Sequence, residues 1–202
     1  MHSLMSGHMT SRPDALNALR DATKDVHVQL ENHLTINRPD AGKAEFHGWA
    51  KAMYGWLSSF EDKLWSAHWP ESVMAARRNG KAKWLETDLR ALGETDASLA
   101  ALPKADAHLH LQTEAKRFGV AYVLEGSTLG GQVLLRKLAP HIAPSKGVYL
   151  FSYGEETGPL WRQFSQSLGE SLASPLDVEH AISAARHTFT SLAEWFTTRG
   201  IY

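Results

Sequence analysis

Apolar residues recur at helical spacing along nearly the whole chain. From Asp14 a stripe runs through Leu16, Leu19, Thr23, Val26, His27, Leu30 and Leu34, with Ser11 and Pro13 as start signals. A second stripe from about Lys43 carries Phe46, Trp49, Met53, Trp56, Leu57, Phe60 and Leu64. Shorter helices are expected around residues 71–78 and 81–92, the latter packing Trp84, Leu85 and Leu89. Residues 94–106 are polar and read as a loop or short helix. A long pattern from about 110 to 138 stops before Pro140 and Pro144. Val148-Tyr149-Leu150-Phe151 is the one strand-like run, too short and solitary to need a sheet. Pro159 opens a helix bearing Leu160, Phe164 and Leu168. Ser174-Pro175 caps and starts a last one with Val178, Ile182, Ala185, Phe189, Leu192 and Phe196. The expectation is one all-α domain of about seven helices over residues 11–202, preceded by a disordered segment at 1–10. Within that segment, Gly7-His8-Met9 resembles a cloning scar.

Composition narrows the function classes. The 202 residues are 43% apolar and 21% charged, and the net charge of −1 gives no electrostatic case for nucleic acid or an anionic membrane. Cysteine is absent, which removes disulfides, zinc–thiolate sites, iron–sulfur clusters, covalent c-type haem attachment and thiolate-ligated haem. It also fits a reducing cytoplasm. No stretch approaches the roughly 20 apolar residues that span a bilayer, and the N-terminus lacks a hydrophobic signal core. A cytoplasmic protein is expected.

Two segments carry candidate chemistry. In the first, at 100° per residue, His27 shares its helix face with Leu16, Arg20, Thr23, Leu30 and Leu34. Lys24 and Arg20 lie one and two turns toward the N-terminus, placed to meet carboxylates of a ligand seated on the histidine. Glu31, four residues on, can reach the imidazole as the carboxylate partner that a metal-ligating histidine usually has. The same residues also suit a core histidine with solvated flanking charges. His108 and His110 lack a third convergent ligand, and the remaining histidines show no metal spacing.

The second segment is Tyr122-Val123-Leu124-Glu125-Gly126-Ser127-Thr128-Leu129-Gly130-Gly131-Gln132, a helical pattern holding three glycines. Each costs about 1 kcal/mol relative to Ala in a helix interior. Such a loss is kept where a backbone bends or is closely approached. Gly126 and Gly130, four apart, share one nearly flat face. A tight helix crossing is one explanation; a flat ligand is the other. A phosphate loop is disfavoured, because no strand precedes the glycines and their spacing fits neither phosphate-binding pattern. A histidine aimed inward and a helix stripped bare together suit a flat ligand with a metal at its centre, namely haem.

Taken together, the two segments resemble the haem oxygenase family. Leu19-Arg20-(x)2-Thr23-(x)3-His27-(x)3-Glu31 is similar to its proximal helix, and Gly126-(x)3-Gly130-Gly131-Gln132 to its kinked distal helix. The wording around Gly126 resembles bacterial members, including those paired with bacterial phytochromes. The likeness continues weakly through Trp161-Arg162-Gln163-Phe164 and the last helix. It implies a multi-helical fold with haem b sandwiched between proximal and distal helices. By the same resemblance His27 is the axial iron ligand and Glu31 its hydrogen-bond partner. Arg20, Lys24 and Arg162 hold the propionates, with Tyr122 a looser candidate. Gly126 and Gly130 line the oxygen side, and Phe189 touches the porphyrin. Ser127 stands where animal-type enzymes carry an aspartate that organises distal water, so other groups must hold that water.

The implied reaction is oxidative cleavage of haem, at once cofactor and substrate, to biliverdin, carbon monoxide and ferrous iron, using O2 and external electrons. No flavin or nicotinamide fingerprint is visible, so a ferredoxin or flavin reductase is the expected donor. A bacterial phytochrome is a candidate recipient of biliverdin. The alternatives are a non-catalytic haem- or biliverdin-binding carrier or sensor, and a helical hydrolase or interaction domain that never meets haem. Against the hydrolase stands the lack of an acid, base and nucleophile cluster.

Overall fold

The first helix, α1 (Ala15–His33), opens at Asp14, whose carboxylate accepts the Asn17 N–H and satisfies one of the free donors of the first turn. The computed structural model describes residues 14–202. The expectations for residues 1–10, and the start signals Ser11 and Pro13, lie outside the described residues. After α1 come α2 (Lys43–Leu57), α3 (Glu61–Trp65), α4 (Ala75–Arg78), α5 (Lys81–Ala91) and α6 (Asp96–Ala100). The chain continues through α7 (Glu114–Leu138), α8 (Val148–Phe151), α9 (Thr157–Ser171) and α10 (Pro175–Thr198). These ten helices and three 3-10 turns leave no strand among the described residues.

The excess over about seven is made of short helices: α3 after the break at Leu57, α6 within the polar stretch 94–106, and α8 in the strand-like run. The stripe from Lys43 to Leu64 is broken after Leu57 rather than continuous. The break turns Glu61 inward, where its buried carboxylate accepts the N–H groups of Gly80, Lys81 and Ala82 at 2.7–3.1 Å. It thus caps α5 from 20 residues away. Likewise the run 148–151 is a helical turn, not a strand. Gly147, at φ +65°, turns the chain into it. Asp88 of α5 then accepts the N–H groups of Val148 and Tyr149 at 2.8 and 2.9 Å.

The helices share one core. α7 crosses α10 where a Cβ at Gly119 would overlap the Ala181 carbonyl oxygen. Arg186 of α10 holds α1 by donating to the Ala22 carbonyl and to both oxygens of Asp25. That guanidinium pulls the Asp25 carboxyl down to about 2. The middle of α7 is held by buried ions. Arg78 and Lys81, both fully enclosed, converge on Glu125, itself 1% exposed. Lys81 also donates to the Arg78 carbonyl and the Tyr153 hydroxyl. Arg78 donates to the carbonyls of Val73 and Leu160. Every charge in the cluster has partners, which is the condition for tolerating it in the core.

Candidate haem site between α1 and α7

α1 and α7 both line a cavity of about 430 Å3 that is also walled by α2, α8, α9 and α10. Its lining is largely apolar: Trp49 and Met53 from α2, Leu150 from α8, Trp161 from α9, and Phe189, Leu192 and Phe196 from α10. α1 contributes Arg20, Thr23, Lys24, His27 and Glu31; α7 contributes Tyr122, Gly126, Ser127 and Gly130. Nine of the ten singled-out positions therefore meet around one space.

The buried stripe of α1 is Ala15, Leu19, Thr23 and Leu30. His27 sits at its edge, with a side chain 50% exposed because it faces the open cavity rather than packed protein. A core histidine would be enclosed. Its ring lies 5.4 Å from that of Phe189, and its Nε2 is 3.2 Å from Glu31 Oε1. Arg20 and Lys24 are exposed cations of the same wall; Arg20 donates to Asn17 at 3.1 Å.

The three glycines divide by what a side chain would meet. A Cβ at Gly130 finds nothing within 4 Å, and one at Gly126 meets only the Trp161 ring at 3.7 Å. These two open on the cavity. Gly131 is a packing glycine, 3.1 Å from the Leu150 carbonyl oxygen on the same measure. The tight crossing belongs to Gly119 instead. Gly130→Ala should therefore keep or raise the stability of the haem-free protein, by up to about 1 kcal/mol of helix propensity. Gly119→Ala should lower it by about 1–3 kcal/mol or more through overpacking. Thermal melts of the two variants check this, and a destabilised Gly130→Ala protein would mean that its face is packed.

Arg162 stands apart from the other nine. It is exposed and absent from the cavity wall, with Nη1 folded back toward Gly158. Trp161, Phe164 and Leu168 are the inward stripe of α9, and one residue past Trp161 the helix has turned about 100° away. Trp161 fills the place, its ring 6.0 Å from Tyr122.

Several wall residues carried no sequence signal. Trp49 and Met53 lie on a stripe indistinguishable from core. Tyr149 was hidden in the strand-like run. Burial, reinforced by the Glu61 and Glu125 carboxylates, pushes its phenol, which lies beside the Ser127 hydroxyl, well above the usual range. It stays protonated. Ser127 donates to the Leu124 carbonyl at 2.7 Å. Among the described residues no helix is long and apolar enough to cross a membrane.

One half-exposed imidazole with a carboxylate behind it, facing a backbone-bare helix across an apolar space, defines a protein that binds a flat, metal-centred ligand. The chain belongs to the haem oxygenase family, whose model, described as Heme oxygenase, matches residues 13–198. It is 35% identical over 139 residues to a heme oxygenase of Xanthomonas campestris pv. campestris (strain 8004), covering 66% of this chain and 77% of that one. Its fold is similar to that of the NO- and CO-bound heme oxygenase from Neisseria meningitidis, at a TM-score of 0.68, 22% identity and 93% coverage of each chain.

Proposed function

We propose that the chain opens the haem b macrocycle with O2 and electrons from a separate protein, a ferredoxin or flavin reductase, releasing biliverdin, carbon monoxide and ferrous iron. The observation that carries this reading is the two-sided cavity. His27 and Glu31 stand on one wall, and on the other Gly130 leaves space that no side chain fills. Haem fits these residues: one imidazole for the iron, apolar and aromatic walls for the ring, and cations on the α1 wall for the propionates. When bound, haem supplies both the iron that takes up oxygen and the carbon that is oxidised.

The chain's own residues decide what happens to it. Glu31 takes one imidazole nitrogen and would leave the other for the iron, so the carboxylate fixes the tautomer and the orientation of the ring. A neutral imidazole lacks the electron push of a thiolate. On the α7 side, Gly126 and Gly130 present backbone where a side chain would occupy the space above the ring. That wall offers no carboxylate: Glu125 points into its own ion cluster, and Ser127 spends its proton on a carbonyl. That wall therefore supplies no acid–base pair for cleaving oxygen, and bound haem would supply the oxidisable edge. Bound haem should release one carbon monoxide for each macrocycle lost. Bleaching without carbon monoxide or biliverdin contradicts the reading.

Arg20 and Lys24 set which edge faces the reacting side. Each exposed pairing is worth about 1 kcal/mol or less, so the Arg20→Ala, Lys24→Ala double variant should lose no more than about 2 kcal/mol of haem affinity. The mixture of biliverdin isomers, separated by chromatography, should change more visibly. An unchanged isomer and unchanged affinity would remove both residues from the propionate role. Delivery of the product to a bacterial phytochrome, and a cytoplasmic setting, complete the proposal.

A further inference from the structure

We propose that Tyr149 is the hydrogen-bond donor of the α7 side of the cavity, presenting its phenolic O–H to whatever small polar group occupies the cavity beside Ser127. The inference rests on the haem reading above. Three fixtures place the ring. The Asp88 carboxylate accepts the N–H of Tyr149 at 2.9 Å, that of Val148 at 2.8 Å and the Ser145 hydroxyl at 2.6 Å. The missing side chain of Gly131 lets the Leu150 backbone close against α7. The Trp49 ring meets Tyr149 edge-on at 5.6 Å. Docked this way, α8 puts a buried phenol on the cavity wall beside Ser127.

The proton inventory selects Tyr149 over Ser127. A hydroxyl has one proton, and that of Ser127 is committed to the Leu124 carbonyl at 2.7 Å, so Ser127 can only accept. Tyr149 is the member of the pair with a proton to give. Because burial and two carboxylates disfavour its ionised form, it remains a donor through neutral and alkaline pH. Its backbone N–H and its ring are held in place, so little reorganisation is needed when a guest arrives.

Fluoride, an inert anion that occupies the open position of ferric haem, is the probe. The Tyr149→Phe holoprotein should bind it about tenfold more weakly than wild type, the loss expected for one hydrogen bond to a charged acceptor. Ser127→Ala, at an exposed position, should bind it more tightly than wild type, because an acceptor competing for the phenolic proton is gone. Equal fluoride affinity in wild type and Tyr149→Phe, both carrying haem, overturns the inference and leaves the haem reading intact. Weaker binding in Ser127→Ala makes the serine the donor and also overturns it. Should Tyr149→Phe fail to fold, Ser127→Ala decides alone: tighter fluoride binding supports the inference, and unchanged binding overturns it. A wild-type protein that takes up no haem overturns both readings.

Discussion

Glu125→Ala should lower the unfolding free energy by about 3–5 kcal/mol, the range for removing one partner of a buried ion pair. In this chain one carboxylate serves two cations, Arg78 and Lys81, at 0% and 1% exposure, and Tyr153 besides. Without it, two positive charges stay in the core with carbonyls, a phenol and the faces of aromatic rings but no paired carboxylate. A domain of this kind holds roughly 5–15 kcal/mol in total, so the variant should sit near the edge of folding. Denaturant titration of the haem-free protein should show a lower midpoint at an unchanged slope. Glu125→Gln, which keeps the shape but not the charge, should lose less. A shift below about 1 kcal/mol for Glu125→Ala would mean that the cluster does not hold α7.

His27→Ala should act in the opposite way, on the ligand and hardly on the fold. Its side chain is half exposed, so the haem-free protein should change by no more than about 0.5 kcal/mol. Haem affinity should fall by more than the 10–100-fold that loss of a mere supporting partner costs, and the imidazole-ligated spectrum should vanish. Added free imidazole can enter the space vacated beside Phe189 and should restore that spectrum. If the variant matches wild type in absorbance and affinity, His27 is not the iron's ligand.

What could be read from the chain follows from what is local. The stripes of α1, α7, α9 and α10 are carried by residues three and four apart, so period and caps locate them. The His27–Glu31 pairing and the shared face of Gly126 and Gly130 are likewise matters of helical spacing. The nitrogen that meets Glu31 depends on ring rotation, which no spacing encodes. Tertiary devices were equally hidden. Glu61 caps α5 from 20 residues back, and Asp88 caps α8 from some 60 residues away, so neither the inward turn of Glu61 nor the helical form of 148–151 has a complete local signal. Glu125 sat inside the glycine-bearing segment without a role, because its partners Arg78 and Lys81 lie 47 and 44 residues back. Arg162 stands outside the cavity wall for a simpler reason: one residue of register decides whether α9 offers a cation or an indole to it.

The central claim is that the space between α1 and α7 both binds haem and destroys it. Single turnover tests it most directly: one equivalent of haem is added to the protein, then a reductant and oxygen, and the absorbance is followed. The account predicts a one-to-one complex whose haem band decays as the broad red absorbance of biliverdin rises, with both changes lost in His27→Ala. A stable haem complex that survives reductant and oxygen unchanged would contradict it, as would identical turnover by the His27→Ala protein.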